Sequence, residues 1–209
     1  MANTKTIILT ESQLSRLMEA NASEIDDLCA GMELHPTDAQ KKAGNYRMAH
    51  FTVKGFPITI ETPKGSFRTY RDVNGRFGSV EMKNHYGYFT NTTGNGKDGD
   101  AVDLFIGDSV DDFDFVYVVD QNKANGEFDE SKVMFGFKTE AQAKKAYMSN
   151  YSKDWKGFRG ITAVSIELFR KWLYRGAKQR KPFADYVSMK KVVNETLNNP
   201  YGVFSDSTI

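Results

Sequence analysis

Cysteine is almost missing from this chain. Cys29 is the single one in 209 residues, which excludes an internal disulfide and fits a reducing compartment. Its place in a helical stretch reads as a small buried hydrophobe rather than a nucleophile. Net charge is almost missing too: 28 Lys and Arg stand against 27 Asp and Glu, for a net +1. No whole-chain attraction for nucleic acid or an anionic membrane follows from that, so any charge-based function has to be local. No run approaches the ~18 apolar residues that span a bilayer, and "TIIL" near the start is too short for a secretory signal. Histidine is scarce, and His35, His50 and His85 show no metal-ligand spacing. No nucleotide P-loop, Ser-His-Asp constellation or zinc motif appears. A soluble, cytoplasmic protein is expected.

What is present is a well-mixed globular composition, 40% hydrophobic, 26% charged and 13% aromatic, enough to bury a core. Residues 1–42 read as a helical arm. Thr10 and Gln13 have capping-box spacing, and Leu14, Leu17, Met18, Ile25 and Leu28 follow a rough helical period. The texture then turns to short β-type runs. Phe51–Val53 and Ile58–Ile60 flank Gly55-Phe56-Pro57, a hairpin signal. "AVDLFIG", "DFVYVVDQ" and "KVMFGF" are near-continuous apolar strands. Helix returns at "TEAQAKKAYMSNY", with Thr139 as N-cap, and at "SIELFRKWLYRGAK", whose Ile166, Phe169, Trp172 and Leu173 face a core. Residues 182–209 have apolar residues but no regular period and read as a tail. Strands followed by helices give an α+β fold. Short strands with Gly-rich turns suit a small closed, OB-like β-barrel with flanking helices, here residues 43–181.

The stretch "GKDGDAVDLFIGD" (96–108) carries the chemistry. Asp98, Asp100 and Asp103 fall within six residues and run straight into an apolar strand. Gly99 permits a tight turn, and a strand starting near Ala101 projects Asp103 away from Val102 and Leu104. Converging carboxylates are costly unless cations neutralise them, and all-oxygen donors suit hard metals such as Mg²⁺ or Mn²⁺. A solvated Asp-Gly turn is the plain alternative. Glu61, Asp120 and Asp129 stand at strand ends or turns, and Lys64, Arg68, Tyr70, Arg71, Tyr86 and Tyr88 bring cations and phenols into the same part of the chain. Carboxylates beside Lys and Arg are equipment for a polyphosphate.

The order of "IETPKGSFRTYRD", "NHYGYFTNT" and "DGDAVDLFIGD" resembles soluble family I inorganic pyrophosphatases, with their metal signature D-[GS]-D-[PE]-x-D-[LV]. It is more closely similar to the inorganic-pyrophosphatase-like domain of phage and mobile-element polyvalent proteins. That domain shares Ala43-Gly44-Asn45-Tyr46 with His50, "HYGY…T.G.DGD.VD.FIG", "VDQ…G.FDE.KVM.GF" and "A..AY..NY…WKGF..IT". The resemblance spans residues ~43 to 174. It implies a Mg²⁺-dependent hydrolase, with Mn²⁺ as a substitute, acting on pyrophosphate or a related phosphoanhydride. Asp98, Asp100 and Asp103 resemble the central metal ligands, with Asp100 as base for the attacking water. Asp120 and Asp129 resemble the later metal acids and Glu61 a supporting acid. Arg68, Tyr86, Lys132 and Tyr151, with Lys153, resemble the phosphate-binding ring. Departures are Ala101 in the signature, Arg68-Thr69-Tyr70-Arg71 in place of K-Y-E, Ser131 where relatives carry His, and no firm counterpart of one arginine, for which Arg76 or Lys83 would stand in. These departures support a second expectation, a catalytically inactive phage structural protein of a virion or assembly. It would keep the fold and dock assembly subunits or further copies of itself through its terminal extensions. Neither nucleic acid nor a membrane is expected as partner.

Overall fold

The computed structural model describes residues 19–43, 45–71, 77–94, 96 and 99–198. Asp98, Arg76 and the Thr10–Gln13 pair therefore lie outside the described residues. A capping box does form, further along. Asn21 precedes helix α1 (Ala22–Ala30), its side chain accepts from the Glu24 amide at 3.0 Å, and the Glu24 carboxylate accepts from the Asn21 amide at 2.9 Å. The two bonds satisfy two of the donors that any helix start leaves orphaned. The helix turns Ile25 and Cys29 inward. A short helix α2 (Asp38–Ala43) follows.

Among the described residues nine strands come next: β1 (Ala49–Val53), β2 (Phe56–Thr62), β3 (Phe67–Arg71), β4 (Phe77–Glu81), β5 (His85–Phe89), β6 (Asp103–Ile106), β7 (Phe115–Asn122), β8 (Phe128–Phe135) and, after helix α3 (Glu140–Ser149), β9 (Phe158–Ser165). The β1–β2 hairpin turns at Lys54 and Gly55, both with positive φ (48° and 72°), the conformation that a two-residue hairpin turn requires. Thr139 caps α3 as its sequence suggests, accepting from the Gln142 amide at 3.2 Å. Ser165 ends β9 and caps α4 (Ile166–Lys171), which continues through a π-turn at Trp172–Gly176 and a 3₁₀ turn at Ala177–Gln179. Helix α5 (Phe183–Asn198) closes the described chain.

Seven strands form one mixed sheet in the order β1-β2-β5-β6-β8-β7-β9, while β3 and β4 pair with each other. The pairings are antiparallel except β6 with β8. The small closed barrel expected from the sequence gives way to a sheet with β1 and β9 as its two ends. At the β1 end, the Ala20 amide donates to the Thr52 carbonyl at 2.9 Å, so the preceding segment supplies bonds that a closing strand would make. At the other end β9 runs directly into α4.

Alternation along the strands sorts the interior into two clusters. One gathers Phe56, Ile58, Phe89, Leu104, Val118, Val133 and Phe135 with Ile25 and Cys29 of α1, Phe169, Trp172 and Leu173, and Phe183, Tyr186 and Val187 of α5. Its rings meet edge-on, Phe56 lying 5.7 Å from Phe89 and 5.5 Å from Phe135 between centroids, an arrangement that aromatic quadrupoles favour. The segments read as a separate arm and tail thus contribute, through α1 and the start of α5, to the same core as the strands. The other cluster takes the intervening residues, Tyr86, Phe105, Tyr117, Val119 and Met134, and packs them on Ala143 and Tyr147 of α3. The polar site lies on this second side.

Candidate functional site

Four segments deliver the centre of the site. The β3–β4 hairpin supplies Arg68, half-buried on the side away from exposed Phe67 and Phe77. Strand β5 supplies Tyr86, and its backbone is held by a pair of buried amides. Asn150 accepts from the amides of Lys83 (2.7 Å) and Asn84 (3.3 Å) and donates to the Asn84 side chain at 3.0 Å, while Asn84 donates to the Ile106 carbonyl at 3.0 Å. The next residue, Gly87, sits against the backbone of β2, where any Cβ would collide with the Thr59 carbonyl. Packing thus explains the glycine in "HYGY". Strand β6 opens with Asp103, opposite Tyr88. Strand β8 supplies Lys132, 3% exposed at its side chain.

Lys132 is the centre. Its ammonium is ion-paired with Asp103, donates to Glu130 at 2.8 Å and reaches the Tyr86 hydroxyl at 3.3 Å. An ammonium has three protons, and each has an acceptor here. The Tyr86 hydroxyl donates to Asp103 at 2.6 Å, and the Arg68 guanidinium lies 4.5 Å from the Tyr86 ring centre, within cation–π range. Burial alone would lower the Lys132 pKa. The surrounding Tyr86, Asp103, Glu130 and Tyr151 reverse that and hold it well above its ordinary value, so the ammonium stays charged. Burial pushes the Tyr86 and Tyr151 hydroxyls up, so both remain protonated. Glu130 is raised first by burial, against the pull of Lys132, and further by Asp103.

Glu61 lies within electrostatic reach of Asp103 and, more weakly, of Asp100. Glu61 is raised by desolvation and then by Asp103, with Arg68 and Lys132 opposing and Asp100 adding a smaller upward push. Asp100 follows Gly99, which takes φ +77°, and its carbonyl closes the turn by accepting from the Gly94 amide at 2.6 Å. Tyr151 stands beside Lys132 and Arg68, whose charges both act on it. Lys153 is exposed on the loop after α3.

Two of the predicted acids are elsewhere. Asp120 is 3% exposed and belongs to the apolar side of the sheet, opposite Lys132. Its carboxylate accepts from the Ser131 hydroxyl (2.5 Å) and from the amides of Phe183 (2.8 Å) and Ala184 (3.1 Å). Every bond there serves the start of α5 or the neighbouring strand, so Asp120 acts as a helix cap borrowed from β7. Asp129 faces away from Lys132 and pairs with Lys123 at 3.6 Å. Sequence reading missed Glu130, which takes the place expected of Asp129 beside Lys132. Its signal is parity, since residues two apart on a strand share a face. Gln121 was missed as well. His85 is structural: it accepts from the Lys64 amide at 3.1 Å and pairs with Asp26 at 2.8 Å.

Among the described residues no three Asp, Glu, His or Cys side chains are grouped to hold a metal ion between them. The donor type nevertheless fits a hard divalent cation. Glu61, Asp100 and Asp103 offer only carboxylate oxygens; Glu61 is raised first by desolvation and then by Asp103 and Asp100, and the part due to these neighbouring carboxylates is what such a cation relieves.

The fold and site together define an α+β protein with a cationic and phenolic cluster set against acids at one sheet face. Residues 38–174 match the inorganic pyrophosphatase family, well over half of the chain, and the chain belongs to that family. No curated protein matches it, and among the described residues no helix is long and apolar enough to cross a membrane.

Proposed function

We propose that the chain hydrolyses pyrophosphate, or a closely related phosphoanhydride, with Mg²⁺ as its cation and Mn²⁺ as a substitute. The observation that carries this reading is the buried Lys132 ammonium, held charged between Asp103 and Glu130 with Arg68 stacked beside it on Tyr86. Lysine is almost never fully buried unless paired, and charged donors such as Lys132 and Arg68 are the groups that bind phosphate oxygens most strongly. Glu61, Asp100 and Asp103 would hold the cation, together with Asp98, which lies outside the described residues. When bound, it would supply Lewis-acid charge to the phosphate oxygens.

The chain's own groups do the rest. Arg68 offers a planar fork to phosphate oxygens. Lys132 must release one of its three acceptors to meet an anion, and the 3.3 Å contact to Tyr86 is the longest of them. Water adds to one phosphorus as the bridging P–O bond breaks, the water proton passes to Asp100, and the departing phosphate's charge falls to Lys132 and Arg68. A second reading draws on the Asp103–Lys132 pair, since a metal acid neutralised by its own lysine suits a fold kept for assembly, as in a virion component. Phosphate release from pyrophosphate, with Mg²⁺ and with Mn²⁺, separates the two. Turnover that needs the cation and drops about 100-fold or more in Asp103→Asn supports the hydrolase. A folded protein that releases no phosphate with either cation refutes it.

A further inference from the structure

Strand β7 carries Gln121, 3% exposed, on the side of the sheet that holds Lys132. Its carbonyl oxygen accepts from two phenols at once, Tyr147 at 2.7 Å and Tyr151 at 2.6 Å. Its amide nitrogen points the other way, 3.4 Å from the Glu130 carboxylate. That carboxylate fixes which end of the amide is which. A carboxylate oxygen cannot donate, so the NH₂ must face it and the oxygen must face the phenols. Tyr147 is pinned in turn by the Trp155 indole, which donates to its hydroxyl at 3.1 Å, and Trp155 stacks on Tyr151 at 4.6 Å between ring centres.

Proton directions follow from this wiring. Each phenol has one proton, and Tyr151 donates its own to Gln121. Its oxygen can then only accept, and it lies where the charges of Arg68 and Lys132 act on it. Glu130, tethered from behind by the amide, presents its carboxylate to Lys132. Among uncharged side chains, a primary amide is the type that accepts twice at one end while donating at the other. A glutamate in its place would set a second acid against Glu130.

We propose that Gln121 is a positioning residue: it turns the Tyr151 hydroxyl into a fixed acceptor and anchors Glu130, so that Arg68 and Lys132, and not the phenols, meet the anionic substrate. The proposal rests on the hydrolase reading for its substrate, while the wiring itself is testable without turnover.

The experiment compares wild type, Gln121→Leu and Gln121→Glu by pyrophosphate kinetics against pH, by calorimetric titration with pyrophosphate, and by spectrophotometric titration of the phenols. Gln121→Leu is expected to raise KM for pyrophosphate about 10- to 100-fold with a smaller change in kcat, and to let two phenols ionise at lower pH. Gln121→Glu, which can donate to Glu130 only while protonated, is expected to keep activity at acid pH and lose it through an ionisation that wild type lacks. Unchanged KM in a folded Gln121→Leu, or a wild-type pH profile in Gln121→Glu, overturns the proposal. So does a phenol titration that neither substitution moves. Should wild type bind pyrophosphate yet release no phosphate, the hydrolase reading fails alone and the calorimetric and phenol comparisons still decide the role of Gln121. If Gln121→Leu does not fold, Gln121→Glu at acid pH decides between the two outcomes.

Discussion

The two sides of the large sheet are built from the same strands, yet they use their residues differently. On one side Val118, Val133 and Phe135 meet α1, α4 and α5 in an apolar interior, and its buried acid, Asp120, is used up as a cap for α5. On the other, Tyr86 and Lys132 from the same pair of neighbourhoods leave charge and hydroxyls in contact with Arg68, Asp103 and Glu130. Asp120 and Gln121 are adjacent in sequence and serve opposite sides. The lesson is that being buried and charged does not by itself single out a candidate site residue here, whereas the company a charge keeps does. Asp120 meets only groups that hold the fold together. Lys132 meets acids that face one another across it, and its charge opposes the rise that burial imposes on Glu130.

Breaking that comparison begins with Lys132→Met, which has the largest expected effect. It removes the ammonium between Asp103 and Glu130 and leaves two partly buried acids facing each other, a loss of roughly 3 kcal/mol. Pyrophosphate hydrolysis should fall by about 10³-fold, and thermal melting with steady-state kinetics reads both. Asp120→Ala comes next and should act on one quantity only. The Phe183 and Ala184 amides lose their acceptor, at a cost of about 2 kcal/mol, while KM for pyrophosphate stays that of wild type. A rise in KM there, with Tm unchanged, would invert the assignment of the two sides.

The smallest effect sharpens the comparison by pH. Glu61 and Glu130 have folded pKa values above their ordinary ones, first through desolvation. The folded state then binds protons more tightly than the unfolded chain, so stability falls as pH rises from the ordinary carboxylate value to the raised one. Glu61→Gln should flatten that fall slightly, since the Glu61 side chain still reaches solvent by area and its coupling is partly screened. Mg²⁺ should reverse the fall in wild type and do less for Glu61→Gln. Melting curves across pH, with and without Mg²⁺, give the answer. An unaltered slope in Glu61→Gln would mean that its charge is not felt at the site.

Part of the arrangement was legible in the chain. Asp103, Tyr86, Arg68, Lys132 and Tyr151, which stand in separate motifs, lie together in the structure, and Thr139 caps α3. Asp120 misled because its strand, "DFVYVVDQ", is apolar on both sides and conceals which parity faces where. The register also shifts at the strand's end, between Asp120 and Gln121 relative to β9 and between Asp120 and Asn122 relative to β8. Asp129 misled for the opposite reason: two acids sit side by side in "FDES", and only the pairing of β7 with β8 decides that Glu130 shares Lys132's face. Helix α5 was invisible as a helix because its starting cap is not local. The acceptor is Asp120, 63 residues upstream of Phe183. The barrel expectation failed on topology. Composition gives short strands and turns, but the parallel pairing of β6 with β8 depends on β7 lying beyond β8, which no local signal records.

The cap on α5 also has a consequence in time. A chain leaving the ribosome exposes β7 well before residues 183 and 184 appear, and until then the Asp120 carboxylate has no helix amides to accept from. Any attempt to close the sheet early would trap that charge in an apolar interior, which is costly. The buried carboxylate on the strand that carries Gln121 into the site thus has its full set of donors only once amides some sixty residues further on are in place.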